Sequence, residues 1–220
     1  MFHVEQTLFV DVLVDGTATF GIQLGSSQVS AFTSYYRELD RWNQKINLTA
    51  IHDTKEIAIK HFLDSLLFSL VLEQKRDVSL LDVGSGAGFP GLPLKILVPE
   101  LHVTLLEPNE KKTSFLHHII GTLDLKNVSV ITKNLRDFSH MTAQHGRFSY
   151  VTTRAVEAAQ VLPFSSVLLK EQGRVIVCLA KPLDLDPGKY GFKVSRELDY
   201  ELPCGCGHRV LTALQQAPVS

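Results

Sequence analysis

The run LLDVGSGAGFPG spans Leu80–Gly91. It ends an apolar stretch on an acid, Asp82, and then places glycine at 84, 86, 88 and 91. Glycine reaches backbone conformations closed to other residues and puts no Cβ between the chain and a ligand. A chain that gives up this much rigidity directly behind a candidate strand is built to lay its backbone against a small molecule.

Several loop chemistries compete for this pattern. "GAGFPG" (86–91) matches the dinucleotide motif G-x-G-x-x-G literally. Its first glycine, however, comes three residues after the strand end at Val83, and Pro90 and Pro93 fall where the helix should begin; a lone match of this kind is weak. A P-loop requires Gly-Lys-Ser/Thr, which does not follow. "LLDVGSGAG" matches in register the third pattern, an acid-terminated strand followed by G-x-G-x-G, the loop that binds S-adenosylmethionine. On this reading Asp82, Gly84, Gly86 and Gly88 are cofactor-binding positions. S-adenosylmethionine has no pyrophosphate to seat on a helix N-terminus, so the helix need not start at once. A purely structural glycine turn is the remaining alternative.

A second acid, Glu107, ends the stretch HVTLLE, 25 positions after Asp82. An acid there accepts hydrogen bonds from ribose hydroxyls, which suits either nucleoside cofactor. Asn109 is the better cap for the helix that follows and leaves Glu107 free for the ligand. The sequence offers no convincing paired acid and base, no Ser/His/Asp set and no Pro-Pro amine-methylation motif. Cys204, Cys206 and His208 alternate and would share one face of a strand, but a structural zinc site wants four ligands at other spacings, so no metal is expected. Pro203–Cys204 lies too near the tail to be read as the cysteine nucleophile of cytosine C5 methylation.

These residues need a scaffold, and the chain supplies an alternation of strands and helices. Candidate strands are 79–83, 102–107, 128–131, 148–153 and 173–179. Helices begin near Gly91, run from Asn109 to about Leu123, from Leu135 to Met141, and from Val156 to Lys170. The order implies parallel strands joined by right-handed crossovers with helices on both faces. Two further strands, 192–202 and 208–215, are joined by PCGCG and would pair antiparallel at the sheet edge; 181–191 reads as a loop. Upstream, Val29, Phe32, Tyr36, Leu39, Trp42 and Ile46 make one helix face. "NLTAIHD" breaks that helix, and a second runs from Asp53 or Thr54. Residues 1–25 suit a strand or a short helix equally. The expected fold is α/β and Rossmann-like, a mostly parallel sheet with an antiparallel C-terminal edge. Residues 1–75 form a mainly helical N-terminal extension and residues 76–220 the main domain.

Among the 220 residues 45% are apolar and 20% charged, with a net charge of −1, so no global attraction to nucleic acid or anionic membrane exists. Any RNA contact must be a local patch. Arg37, Arg41 and Lys45 recur every four residues and form a stripe that is either a solvated face or a phosphate contact; Lys111 and Lys112 read the same way. No uncharged run approaches a membrane span, the N-terminus lacks the basic start of a signal peptide, and three cysteines make no disulfide framework. A cytoplasmic protein is expected. Trp42 and Phe62 read as helix core rather than as base-stacking rings, and His61 and Asp64 as a local pair.

Taken together, RWNQKINLTAI (41–51), KHFLDSLL (60–67), LLDVGSGAGFPGLPLKI (80–96), LLEPNEKKTSFL (105–116), NLRDF (134–138), TTRAVEAAQVL (152–162) and EQGRVIV (171–177) resemble one family. It is the RsmG or GidB family, bacterial guanine-N7 methyltransferases of small-subunit (16S) ribosomal RNA. The resemblance runs from about Ile22 to the late 170s and recurs at GHRVL. It implies a class I S-adenosylmethionine-dependent methyltransferase domain, with the extension as an RNA-contact element. It further implies that S-adenosylmethionine lies against Gly84 and Phe89, with the adenine beside Leu135 and Arg136 and the ribose on Glu107. Arg154 would sit near both cofactor and reacting base as the catalytic residue. The implied partner is 16S ribosomal RNA or the small ribosomal subunit; no DNA partner, no membrane and a monomeric chain are expected. Guanine N7 is an acceptor without a proton, so transfer there needs alignment and no general base, in keeping with the absence of an acid–base pair. The A-form major groove hides N7, so the target guanine is expected unpaired or flipped out. Two alternatives stay open at this point, a nicotinamide-dependent oxidoreductase and a catalytically silent RNA-binding adaptor.

Overall fold

Seven strands form one sheet in the order β3-β2-β1-β4-β5-β7-β6. The computed structural model describes residues 2–73, 77–154 and 156–217. β1 (Ser79–Val83), β2 (His102–Leu106), β3 (Val128–Ile131), β4 (Phe148–Thr153) and β5 (Leu169–Leu179) are parallel. β7 (Gly207–Gln216) pairs antiparallel with β5, and β6 (Phe192–Leu202) pairs antiparallel with β7. The parallel sheet with an antiparallel C-terminal edge is the architecture read from the sequence. β5 starts four residues earlier than expected, because Leu169 already pairs with Phe148 ahead of a bulge; Gln172, in the left-handed region at φ 63°, lies in that irregular stretch.

Helices cover both faces. They are α5 (Gly91–Leu97), α6 (Glu110–Thr122), α7 (Leu135–Ser139) and α8 (Ala158–Leu168), the last two shorter than the sequence suggested. Residues read as a loop over 181–191 include a 3-10 turn at Pro187–Tyr190. Successive side chains of a strand point to opposite faces. Leu80, Val103, Leu105, Tyr150, Ile176 and Cys178 therefore pack on one face, and Leu81, Leu106, Val151, Val175 and Val177 on the other.

The N-terminal segment is helical from Phe2 onward. α1 (Phe2–Thr19) makes most of the openly read segment 1–25 helical, and the chain turns at Phe20 and Gly21 before the next helix. Its Phe9, Leu13 and Thr17 are buried at four-residue spacing, and Gly16 lies against Leu63. α2 (Ser26–Asn43) buries Phe32, Tyr35, Tyr36 and Leu39. The third helical run changes pitch. It is α-helical over α3 (Thr54–Ile57), widens to a π-helix over Ala58–Leu63, returns to α over α4 (Asp64–Leu66), and ends as a 3-10 turn at Leu67–Val71. Phe9, Phe32, Tyr35 and Phe62 share one core cluster with strand residues Leu80, Val103 and Ile176. The extension thus shares one face of the sheet with α5 and α6, whose Leu92, Leu94, Phe115 and Ile119 belong to the same cluster. The expected boundary at 75/76 lies outside the described residues. Phe62 is fully buried and Trp42 packs on Phe115, as core residues do. Among the described residues no helix is long and apolar enough to cross a membrane.

Candidate active site

In an open α/β sheet, ligands bind beyond the carboxyl ends of the strands, where the strand order reverses. Here that point lies between β1 and β4, since β1 pairs with β2 on one side and β4 on the other. The glycine loop follows β1, Glu107 follows β2, α7 with Leu135 and Arg136 follows β3, and Arg154 follows β4. All the singled-out positions therefore belong to the connections at one end of the sheet.

Each loop residue has a separate physical task. Gly84, Gly86 and Gly88 have φ of 70°, 58° and 98°, conformations that a side chain would strain. A Cβ on Gly84 would come within 2.6 Å of Val156, whereas one on Gly86 would meet nothing nearer than 3.9 Å. Gly86 thus leaves open space over the backbone, the place for a ligand to approach. Gly88 makes room inward instead, where a Cβ would stand 2.5 Å from the Tyr35 hydroxyl. That hydroxyl donates to the carbonyl of Ala87. Asp82 is fully buried beneath the loop; its Oδ2 accepts from the Gly91 amide at 3.0 Å, and its Oδ1 has no protein partner. Burial pushes its carboxyl up to about 7, against the pull of the Gly91 amide and of Arg154. Asp82 therefore acts from behind, holding the start of α5 against β1.

Glu107 ties the first two loops together. Its Oε2 accepts from the Gly86 amide at 2.9 Å and its Oε1 from the Asn109 amide at 3.0 Å. Asn109 caps α6 through Lys111 and Lys112, as expected, but Glu107 is not left wholly free. Each carboxylate oxygen keeps a further lone pair. Leu135 is half-buried and Arg136 exposed at the start of α7. Phe89 is 5% exposed. Its ring stacks with Tyr35 at 5.4 Å and with His61 at 5.0 Å, so little of the side chain is offered to a ligand.

Arg154 reaches across to the helical extension. Its Nη1 donates to the Lys60 carbonyl at 2.8 Å and its Nη2 to His61 Nδ1 at 3.2 Å, while the guanidinium carbon lies 5.4 Å from the Phe89 ring centre. The π-helical turn explains the docking, since a widened turn disturbs the backbone ladder and exposes carbonyl oxygens to other donors. It also corrects the expected His61–Asp64 pair, because in a widened turn residues three apart no longer stack. His61 faces Arg154 and Thr49. Asp64 turns to the C-terminal strands, accepting from Tyr200 Oη at 2.9 Å and Arg209 Nε at 3.3 Å, with Arg154 at 3.9 Å. Cys178 lies beside it, and its burial next to this carboxylate pushes its thiol up to about 12. Sequence reasoning missed Tyr35, Thr49, Tyr200 and Arg209 as parts of the site. Thr49 and Arg209 fall in the blocks W-N-x-x-x-N-L-T and G-H-R-V-L, whose spacing is distinctive but whose contacts are long-range; Tyr35 and Tyr200 lie outside these blocks and carry no such signal.

The remaining candidates fall elsewhere. Cys204 lies in a 3-10 turn at φ 56° and Cys206 caps that turn, both before β7 begins at Gly207, so neither alternates on a strand with His208. His208 bonds Asp199 at 2.7 Å and the Ala180 carbonyl at 3.1 Å. Among the described residues no group of three or more His, Cys, Asp or Glu is placed to hold a metal ion. In the basic stripe, Arg41 pairs with Glu38, which also meets His118.

The residues present suit a nucleoside carrying no phosphate chain. Gly86 leaves an open approach over the backbone, Glu107 is a nearby acceptor, and no Gly-Lys-Ser/Thr follows the loop.

Residues 28–183 match the GidB family, rRNA small subunit methyltransferase G. The chain is 38% identical over 206 residues to ribosomal RNA small subunit methyltransferase G of Lactococcus lactis subsp. lactis, covering 89% of this chain and 86% of that protein. It is 48% identical over 170 residues to the protein of the same name from Dehalococcoides mccartyi, covering 74% and 70%. Among solved structures, a SAM dependent methyltransferase from Aquifex aeolicus aligns with a TM-score of 0.52 at 17% identity, over 69% of this chain and 89% of that one. TYW2 of M. jannaschii, solved in complex with AdoMet, aligns with a TM-score of 0.53 at 18% identity, over 68% and 74%. The structural likenesses establish the fold, and the sequence matches sustain neither the oxidoreductase nor the silent-adaptor reading. The chain belongs to the GidB family, the rRNA small subunit methyltransferase G enzymes.

Proposed function

We propose that the protein transfers a methyl group from S-adenosylmethionine to N7 of a guanine in 16S ribosomal RNA, acting as a cytoplasmic monomer on the RNA or the small subunit. The observation that carries this reading is the meeting of the Gly84–Gly88 loop, Glu107 and Arg154 at the switch point, on a chain of this family. When bound, S-adenosylmethionine supplies a methyl group activated on a sulfonium. The backbone of Gly84 and Gly86 holds the nucleoside close, and Glu107 accepts from its ribose. Leu135 and Arg136 border the adenine. Asp82, Gly88 and Phe89 serve the same site from within, shaping the loop.

Guanine N7 presents a lone pair and no proton, so the protein's task is alignment, which supplies about 7–11 kcal/mol in well-oriented reactions. The titratable groups around the loop agree with base-free chemistry. Both His61 nitrogens are engaged, Asp82 is sealed beneath the loop, and Glu107 accepts from two amides. Arg154, part-exposed on its Phe89 shelf, is the group to contact O6 of the guanine or a neighbouring phosphate. The guanine enters unpaired or flipped out. The test is methyl transfer to unmodified 16S RNA, with the product mapped by borohydride–aniline scission, which cuts at N7-methylguanine. Cleavage at one guanine supports the reading; incorporation without cleavage, or none on RNA or subunit, overturns it.

A further inference from the structure

Four residues from three parts of the chain form one hydrogen-bonded series ending at Arg154. Asn43, the last residue of α2, clamps Thr49 from both sides. Its Oδ1 accepts from the Thr49 amide at 2.9 Å and its Nδ2 donates to the Thr49 carbonyl at 3.0 Å. The Thr49 hydroxyl oxygen lies 2.7 Å from His61 Nε2, and also accepts from the Ile51 amide at 3.1 Å. His61 Nδ1 lies 3.2 Å from Arg154 Nη2.

The direction of this series is set by its last member. Guanidinium is donor-only, so His61 Nδ1 must accept and Nε2 must carry the proton, which it donates to Thr49. The ring is thereby locked in one neutral tautomer, stacked flat on Phe89 with an interplanar angle of 17°. Burial and the adjacent Arg154 and Lys60 charges depress His61 to about 3, so it stays neutral across the physiological range. A ring turned over would offer the guanidinium a C–H in place of an acceptor, and one protonated on Nδ1 would offer a second donor; either would drive it off the Phe89 shelf.

We propose that Asn43, Thr49 and His61 are positioning residues for methyl transfer: Thr49, fixed by Asn43, accepts from His61 Nε2 and so holds the ring with Nδ1 turned to Arg154, which it aims. The proposal rests on the reading of Arg154 given above. It assigns the W-N-x-x-x-N-L-T and H-x-x-D-S blocks a joint role in the reaction, beyond helix packing.

The test compares Thr49→Val, which keeps the shape and removes the hydroxyl, with Thr49→Ser, which restores it. Two readouts are taken on the full chain. The first is NMR of the His61 ring nitrogens and the order parameter of the Arg154 side-chain N–H. The second is steady-state transfer to 16S RNA. In the wild type and Thr49→Ser, His61 should show a protonated Nε2 with an unprotonated Nδ1, and Arg154 should be ordered. In Thr49→Val the single tautomer and the Arg154 ordering should be lost. The kcat should then fall roughly 10- to 100-fold, with KM for S-adenosylmethionine within about twofold of wild type. Thr49→Val with ordered Arg154 or unchanged kcat overturns the proposal, as does failure of Thr49→Ser to rescue. If the wild type transfers no methyl to RNA, the functional reading fails by itself, and the NMR comparison still decides whether Thr49 positions Arg154.

Discussion

The Tyr35 hydroxyl donates to the carbonyl of Ala87, so a side chain of helix α2 holds the glycine loop from below, across 52 positions of sequence. Tyr35 is fully buried, and burial raises its phenol well above its ordinary value, which keeps it a neutral donor. Tyr35→Phe leaves the Ala87 carbonyl without this donor in a buried place, a loss of about 1–3 kcal/mol. Part of it should appear as weaker cofactor binding, up to about tenfold. Isothermal titration with S-adenosylmethionine checks this, and an unchanged Kd would show that the loop holds its shape without the helix.

Gly88→Ala should be worse. The new methyl would lie 2.5 Å from the Tyr35 hydroxyl and 2.6 Å from Leu92, at φ 98°. Overpacking and backbone strain together are expected to cost about 2–4 kcal/mol. Gly86→Ala meets no such neighbour. It should fold with a smaller loss while weakening cofactor binding, because its methyl would occupy the open approach. Melting temperature and titration, measured on both variants, separate the two glycines.

Arg154→Lys keeps the charge and loses the planar fork that reaches both the Lys60 carbonyl and His61 Nδ1. Transfer to RNA should drop about a hundredfold or more. The far-ultraviolet circular dichroism should be unchanged, with a melting temperature lower by about 2–6 °C. Transfer at the wild-type rate would remove Arg154 from the reaction.

Two buried groups give stability opposite pH dependences. His61 is depressed from 6.5 to about 3, so its contribution is present above pH 6.5 and is lost as pH falls toward 3. Asp82 is raised from 3.8 to about 7, so its contribution is present below pH 3.8 and is lost as pH rises toward 7. Asp82→Asn removes the second dependence. Relative to wild type, the variant should gain melting temperature on going from pH 4.5 to pH 8. A difference that stays flat with pH would mean that Asp82 is ionised throughout.

The Asp64 cluster predicts a purely structural effect. Tyr200 Oη and Arg209 Nε both donate to its carboxylate, joining the helical layer to β6 and β7 over 136 and 145 positions. Tyr200→Phe should lower stability by about 1–3 kcal/mol and leave the Kd for S-adenosylmethionine unchanged. Thermal melting and titration measured side by side check it.

The order of strands and helices, the parallel core with its antiparallel edge, the glycine loop with its two acids, and the family were all legible in the amino-acid sequence. These are local or composite signals. Apolar periodicity sets helix against strand, glycine spacing marks a backbone approach, and an acid at a strand end has one place to be. Tertiary structure decided how those parts work. Phe89 reads as a loop residue facing a ligand, yet its ring turns inward because Tyr35 and His61 offer it stacking partners. His61 and Asp64 read as neighbours on one helix face, and the widened turn over Ala58–Leu63 sends them to different partners. Residues 1–75 read as an extension, yet their aromatic side chains fill the core over the sheet. In each case the deciding contact joins residues far apart in the chain, and local periodicity carries no record of which distant surface a buried side chain will meet.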